Sequence, residues 1–120
     1  SSATLDYVSG IVRSIRPNGV AWKFVWGRER CVQRMDPERW ETVFIKDIRK
    51  ITRLGFDSRY ILMVDDTPRK LERHYGNTVR VSEFRGESSD RELVALLDYL
   101  VELSREDDFR QIEKRGWNQG

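Results

Sequence analysis

Apolar residues recur along the chain in two rhythms, and the alternation between them predicts its elements. Leu5, Val8, Ile11, Val12 and Ile15 follow helical spacing behind Thr4, a residue suited to cap a helix, and Pro17-Asn18-Gly19 stops the pattern. Residues 20–26 are rich in strand formers and predict a strand ending at Gly27, with Trp22, Phe24 and Trp26 packed from one face into a core. Residues 28–41 show neither rhythm and read as a surface excursion around Pro37 and Trp40. Thr42-Val43-Phe44-Ile45 is a short apolar stretch that adds little to a sheet. Asp47 behind it predicts the cap of a short helix with Ile48, Ile51 and Leu54 inward, closed by Gly55.

Residues 60–64 (Tyr-Ile-Leu-Met-Val) form an apolar run without alternation, the pattern of a strand buried on both faces of a parallel sheet. It ends at Asp65-Asp66, and Thr67 and Pro68 open a helix that runs to Gly76. Thr78 to Val81 predicts another strand. Ser89-Asp90-Arg91-Glu92 is a capping box, and the helix behind it carries Leu93, Leu96, Leu97, Leu100 and Leu103 on one face. Ser104-Arg105-Glu106-Asp107 opens a terminal helix with Phe109 and Ile112 inward, stopped at Gly116. Strands and helices alternate, so the class is α/β with a parallel sheet.

The 120 residues suit one domain, 1–120, and 13 aromatics argue against disorder despite a charged fraction of 35%. The 22 Lys and Arg and 20 Asp and Glu are unevenly spread, with net charge +3 over residues 1–40, +3 over 41–80 and −4 over 81–120. That mild asymmetry speaks against a nucleic-acid partner. No apolar run approaches the ~20 residues needed to cross a membrane. Cys31, the single cysteine, forms no internal disulfide; it fits a reducing, intracellular compartment and reads as a half-buried structural residue. His74 has no cysteine or histidine at ligand spacing and reads as a surface or helix-end residue.

In open α/β sheets ligands bind beyond the carboxyl ends of the strands, which is where Asp65 and Asp66 stand. Two adjacent carboxylates repel one another unless a cation is shared, and Mg2+ held by one or two carboxylates plus phosphate oxygens and water suits such a pair. The bland alternative is that Asp66 favours the positive end of the next helix while Asp65 caps a turn. Lys46, at a second strand-to-helix edge, is either a point charge for a phosphoryl group or an ordinary exposed lysine.

Several segments then match a known pattern in order: Lys46-Asp47, Leu54-Gly55, residues 60–68, Asn77, Glu92-Leu93 and Leu96-Leu97. They resemble the haloacid dehalogenase superfamily and, within it, the NIF-type phosphatases that include the small phosphatases of the RNA polymerase II C-terminal domain. Arg28-Glu29-Arg30-Cys31 resembles that branch's Arg-Glu-Ser-Cys segment, and Ser1-Ser2-Ala3 resembles the end of its Thr/Ser motif. The resemblance implies a Rossmann-like fold with a parallel sheet flanked by helices. It also implies a Mg2+-dependent phosphate monoester hydrolase working through an aspartyl-phosphate, with phosphorylated protein as substrate. Carried over residue by residue, Ser1 binds a phosphoryl oxygen and Arg28 faces the substrate. Lys46 balances the charges of phosphate and nucleophile, Asp66 is the direct metal ligand, and Asp65 stands behind it or bonds Lys46.

One part of the pattern is missing. The family's Asp-x-Asp motif, which supplies nucleophile and acid/base at the end of its first strand, occurs nowhere in these residues. The chain starts at the Ser/Thr motif without an initiator Met, so the expectation is a domain whose first strand is missing and which is inactive alone. Exposed sheet edges would then invite self-association, or an N-terminal segment supplied by another chain. The rival readings are a superfamily phosphatase acting on nucleic-acid ends or metabolites, and a non-catalytic module that binds phosphate or protein.

Overall fold

Helix α1 (Leu5–Ile15) begins directly after Thr4, whose carbonyl accepts the first helical bond from Val8 N at 3.0 Å. Asp6 in its first turn and Arg13 in its last both complement the helix dipole. The computed structural model describes residues 1–15, 21–67 and 74–118, and these fall into two units, 1–47 and 48–120.

In the first unit the expected strand over 20–26 is replaced, across its described residues, by backbone without regular structure. Among the described residues no strand supplies a ladder there, and strand-forming side chains alone do not satisfy backbone donors and acceptors. The three rings therefore do not form a core: Trp22 and Phe24 are exposed, and Phe24 packs on Trp26 at 4.5 Å between centroids. The regular structure appears instead in the segment expected to be irregular. A 3-10 turn (Arg28–Arg30) leads into β1 (Val32–Asp36), which pairs antiparallel with β2 (Glu41–Ile45) from Val32↔Ile45 to Asp36↔Glu41. Few residues of β1 are strong strand formers, so its conformation is set by pairing with β2. The connecting turn is tied by Asp36 Oδ1 accepting from Glu38 N and by Trp40 N donating to Asp36 O. Trp40 takes φ 54° to close it.

In the second unit α2 (Arg49–Thr52) has Ile48 rather than Asp47 at its N-cap position, and Gly55 at φ 101° ends the turn beyond it. Ile48 N donates to His74 Nε2 at 3.1 Å, which makes His74 a half-buried acceptor. Strand β3 (Met63–Asp65) is shorter than the apolar run that announced it: residues 58–60 form a 3-10 turn, and Val64 is exposed. It pairs in parallel with β4 (Thr78–Arg80), Met63↔Thr78 to Asp65↔Arg80. Parallel pairing among the described residues is confined to this pair, and the other sheet is antiparallel. Among the described residues the secondary structure thus mixes helices with small sheets of both orientations.

Helix α3 (Glu92–Leu103) has Arg91 at its N-cap with no side-chain bond from it, and Asp90 Oδ1, one residue earlier, accepts from Glu92 N at 2.9 Å. Leu96 and Leu103 are buried with Val79, and Leu62, Val81, Tyr99, Leu100, Ile112 and Trp117 pack around them. Leu93 and Leu97 point the other way, 70% and 62% exposed, because five leucines in eleven residues span more than one helical face. The expected terminal helix is a 3-10 turn (Phe109–Gln111): Asp108 accepts both Arg110 N and its guanidinium, and this local competition stops propagation after one turn. The helix expected from Thr67 to Gly76 passes through residues 68–73, outside the described residues; at its far end Tyr75–Asn77 is a 3-10 turn.

Candidate active site

The parallel pair β3–β4 places Asp65 at the carboxyl end of its strand, held in register with Arg80 and with its carbonyl accepting from Val81 N at 3.0 Å. The chain then turns at once. Thr67 binds both carboxylates: its N–H donates to Asp65 Oδ1 at 3.0 Å and its hydroxyl to Asp66 Oδ1 at 2.8 Å. Asp65 is half-buried and Asp66 exposed. Thr67, which local pattern marks only as a helix cap, is thus the residue that orients the pair.

A cleft of about 400 Å³ adjoins these carboxylates, with Val64, Val81, Phe84, Leu93 and Val94 on its apolar side and Asp90 and Glu92 on its acidic side. Both added acids have structural work: Asp90 Oδ1 accepts from Glu92 N at the start of α3, and Glu92 Oε1 accepts from Ser82 N at 2.9 Å and from Asn118 Nδ2 at 3.1 Å. Sequence reasoning places Asp90 and Glu92 in a capping box and has no signal for their neighbourhood with Asp65.

Among the described residues no three carboxylate, histidine or cysteine side chains converge as a metal-binding group. The Asp65–Asp66 donors are all hard oxygens, one or two per ion. One or two such carboxylates are what Mg2+ would take from a protein, and they would not make an all-protein Ca2+ or Zn2+ cage.

Ser1, Arg28 and Lys46 belong to the first unit. There the structure brings Ser1 and Arg28 into one neighbourhood, because segments 1–3 and 26–31 lie side by side. Ser1 N donates to Trp26 O at 2.9 Å, Arg28 N to Ala3 O at 2.7 Å, and Arg28 Nε to Ser2 O at 2.9 Å. The Ser1 hydroxyl accepts from Ala3 N at 3.1 Å. Cys31, half-buried as expected, turns its thiol toward Ser1 O at 3.6 Å. The Arg28 guanidinium stacks 4.6 Å over the Phe44 ring, which sits on β2 two residues ahead of Lys46. No local pattern singles out Phe44 for that contact. Lys46 directly follows β2 and is half-buried. No helix among the described residues is long and apolar enough to cross a membrane.

Comparisons with known proteins identify the family. Residues 1–110 match the family described as NLI interacting factor-like phosphatase. A 61-residue stretch, 51% of the chain, is 38% identical to the human protein named carboxy-terminal domain RNA polymerase II polypeptide A small phosphatase 1. That match spans only 23% of the human protein's length. With 110 of 120 residues covered by the family's pattern, the chain belongs to the NLI interacting factor-like phosphatase family.

Proposed function

We propose that these residues form most of a Mg2+-dependent phosphatase domain, 1–120, that hydrolyses phosphoserine or phosphothreonine esters in intracellular protein substrates. The observation that carries this reading is the Asp65–Asp66 pair at the carboxyl end of a parallel strand, both members oriented by Thr67, within a chain that matches the family over residues 1–110. The domain's full architecture in this reading is a Rossmann-like parallel sheet of which β3 and β4 are members.

Mg2+, when bound, neutralises charge on the phosphoryl oxygens. Asp66 holds the ion and Asp65 sets its position. Lys46 places a fixed positive charge on the phosphate, the Ser1 hydroxyl donates to a phosphoryl oxygen, and Arg28 faces the substrate. The nucleophile is a carboxylate outside these residues, since no Asp-x-Asp occurs in them. The same absence favours one second reading, a non-catalytic module that binds phosphate.

Two measurements test the proposal. Titration calorimetry with Mg2+ is expected to show binding that weakens at least tenfold in Asp66→Asn; equal affinity in both removes Asp66 from the site. The 120 residues alone are expected not to hydrolyse an aryl phosphate with Mg2+ present. Turnover that persists in the purified chain and vanishes in Asp66→Asn overturns the external nucleophile. In the parent protein Lys46→Ala is expected to abolish turnover, and the absence of any turnover in that parent favours the binding module.

A further inference from the structure

Among the described residues strand β4 pairs only with β3 and so has an open edge, and an edge strand offers unpaired backbone groups to any extended segment. Val81 N bonds Asp65 O, so residue 81 faces β3 and, by strand alternation, the backbone groups of Arg80 face away from it. The outward Arg80 carbonyl is nevertheless occupied: Trp117 Nε1 donates to it at 2.7 Å.

That bond is one of a series. Tyr75 OH donates to Glu113 Oε1 at 2.7 Å, Lys114 Nζ donates to Gly76 O at 2.6 Å, and Trp117 bonds Arg80, at sequence separations of 38, 38 and 37 residues. Nearly constant separation means that residues 113–117 track residues 75–80 in the same direction, as a parallel strand would, but through side chains. Two features lock this strap. Lys114 is 5% exposed, and its three ammonium hydrogens go to the carbonyls of Gly76, Phe109 and Ile112. Trp117 stacks on Tyr99 of α3 at 5.2 Å between centroids. The fit is close, since a Cβ added at Gly76 would lie 3.1 Å from Arg110 O.

We propose that residues 108–118 are an edge guard that keeps β4 from adding a strand of a second copy of this chain. A second copy is the occupant because the exposed strand would be the same in both partners, and two such edges pair about a two-fold axis with each satisfying the other. A side-chain donor suits such a guard, because it satisfies the outward Arg80 carbonyl while presenting no further ladder of its own.

The test uses the full chain, with folding checked by circular dichroism and mass followed by sedimentation velocity across a concentration series. Lys114→Met removes the three locking bonds while keeping the stem, and Gly76→Val wedges the strap away from the turn. Each is expected to self-associate at concentrations at least tenfold below those at which the wild-type chain does. Adding Arg80→Pro, which removes the outward N–H of an edge strand without touching a bond to β3, is expected to restore wild-type behaviour. Association that Arg80→Pro does not reverse is misfolding rather than edge pairing and overturns the proposal. So does wild-type sedimentation in a folded variant whose strap is shown by hydrogen exchange to be released. If both single variants fail to fold, Trp117→Phe, which keeps the ring stack and loses only the indole donor, is judged by the same outcomes.

Discussion

Replacing Asn77 by alanine asks whether one buried amide holds the strand that carries Asp65. Asn77 is 4% exposed, and its Nδ2 donates to Ser58 O at 2.7 Å and to Ile61 O at 2.9 Å. Those carbonyls lie just ahead of β3, while Asn77 immediately precedes β4, so the amide ties the lead-in of one strand to the start of its neighbour. A net hydrogen bond contributes about 0.5–1.5 kcal/mol, and a buried partner left unsatisfied costs about 1–3 kcal/mol. Because Ser58 and Ile61 are only half-buried, water can reach part of what is lost, and the expected cost of Asn77→Ala is roughly 2–4 kcal/mol. With a urea slope of about 2 kcal/mol per molar, the unfolding midpoint should fall by about 1–2 M at unchanged slope.

Asn77→Asp is expected to cost at least as much, since it keeps the size but sets a carboxylate against two carbonyl oxygens. Amide exchange gives the local readout: Val81 N–H, bonded to Asp65 O, should lose protection in Asn77→Ala. A loss of stability below about 0.5 kcal/mol, the level of an ordinary surface substitution, with Val81 protection unchanged, refutes the reasoning.

Two further predictions separate faces and charges. Leu103→Ala, at a side chain 2% exposed, is expected to destabilise by about 2–5 kcal/mol. Leu97→Ala on the open face of α3 should stay within about 0.5 kcal/mol; equal costs in urea unfolding would mean that α3 is covered on both sides. The hydrogen bonds from Arg110 hold the Asp108 carboxyl at a pKa of about 2, below its ordinary 3.8. A carboxylate depressed in the folded state adds stability above its unfolded pKa and loses it as pH falls through the folded one. Asp108→Ala is therefore expected to flatten the fall in thermal stability between about pH 4 and 2, and an unchanged acid profile counts against the pairing.

Much of this site is legible one residue at a time. Asp65-Asp66-Thr67 after an apolar run marks a strand end, because alternation stops, polar groups begin and a capping residue follows. Arg28 and Ser1 are legible only through resemblance; no local pattern says that segments 1–3 and 26–31 lie together, which depends on bonds between residues about 25 apart. The departures among the strands share a cause. Residues 21–26 have the composition of a strand but join no ladder among the described residues, whereas 32–36 have a poor composition and a full partner strand in β2. Strand formation is a pairwise event, and a single segment carries only half of the information.

The same division holds for the strap. By itself the sequence determined that helices would stand at 5–15 and 92–103, that an acidic pair would close a strand, and that the family's nucleophile motif is absent, since each depends on spacing or on residue identity. Only the tertiary structure decided that Lys114 would be buried among carbonyls and that Trp117 would satisfy Arg80, because hydrogen-bond partners 37 or 38 residues apart are chosen by packing. Taking a charge out of water is favourable only where a finished fold has already arranged acceptors to meet it.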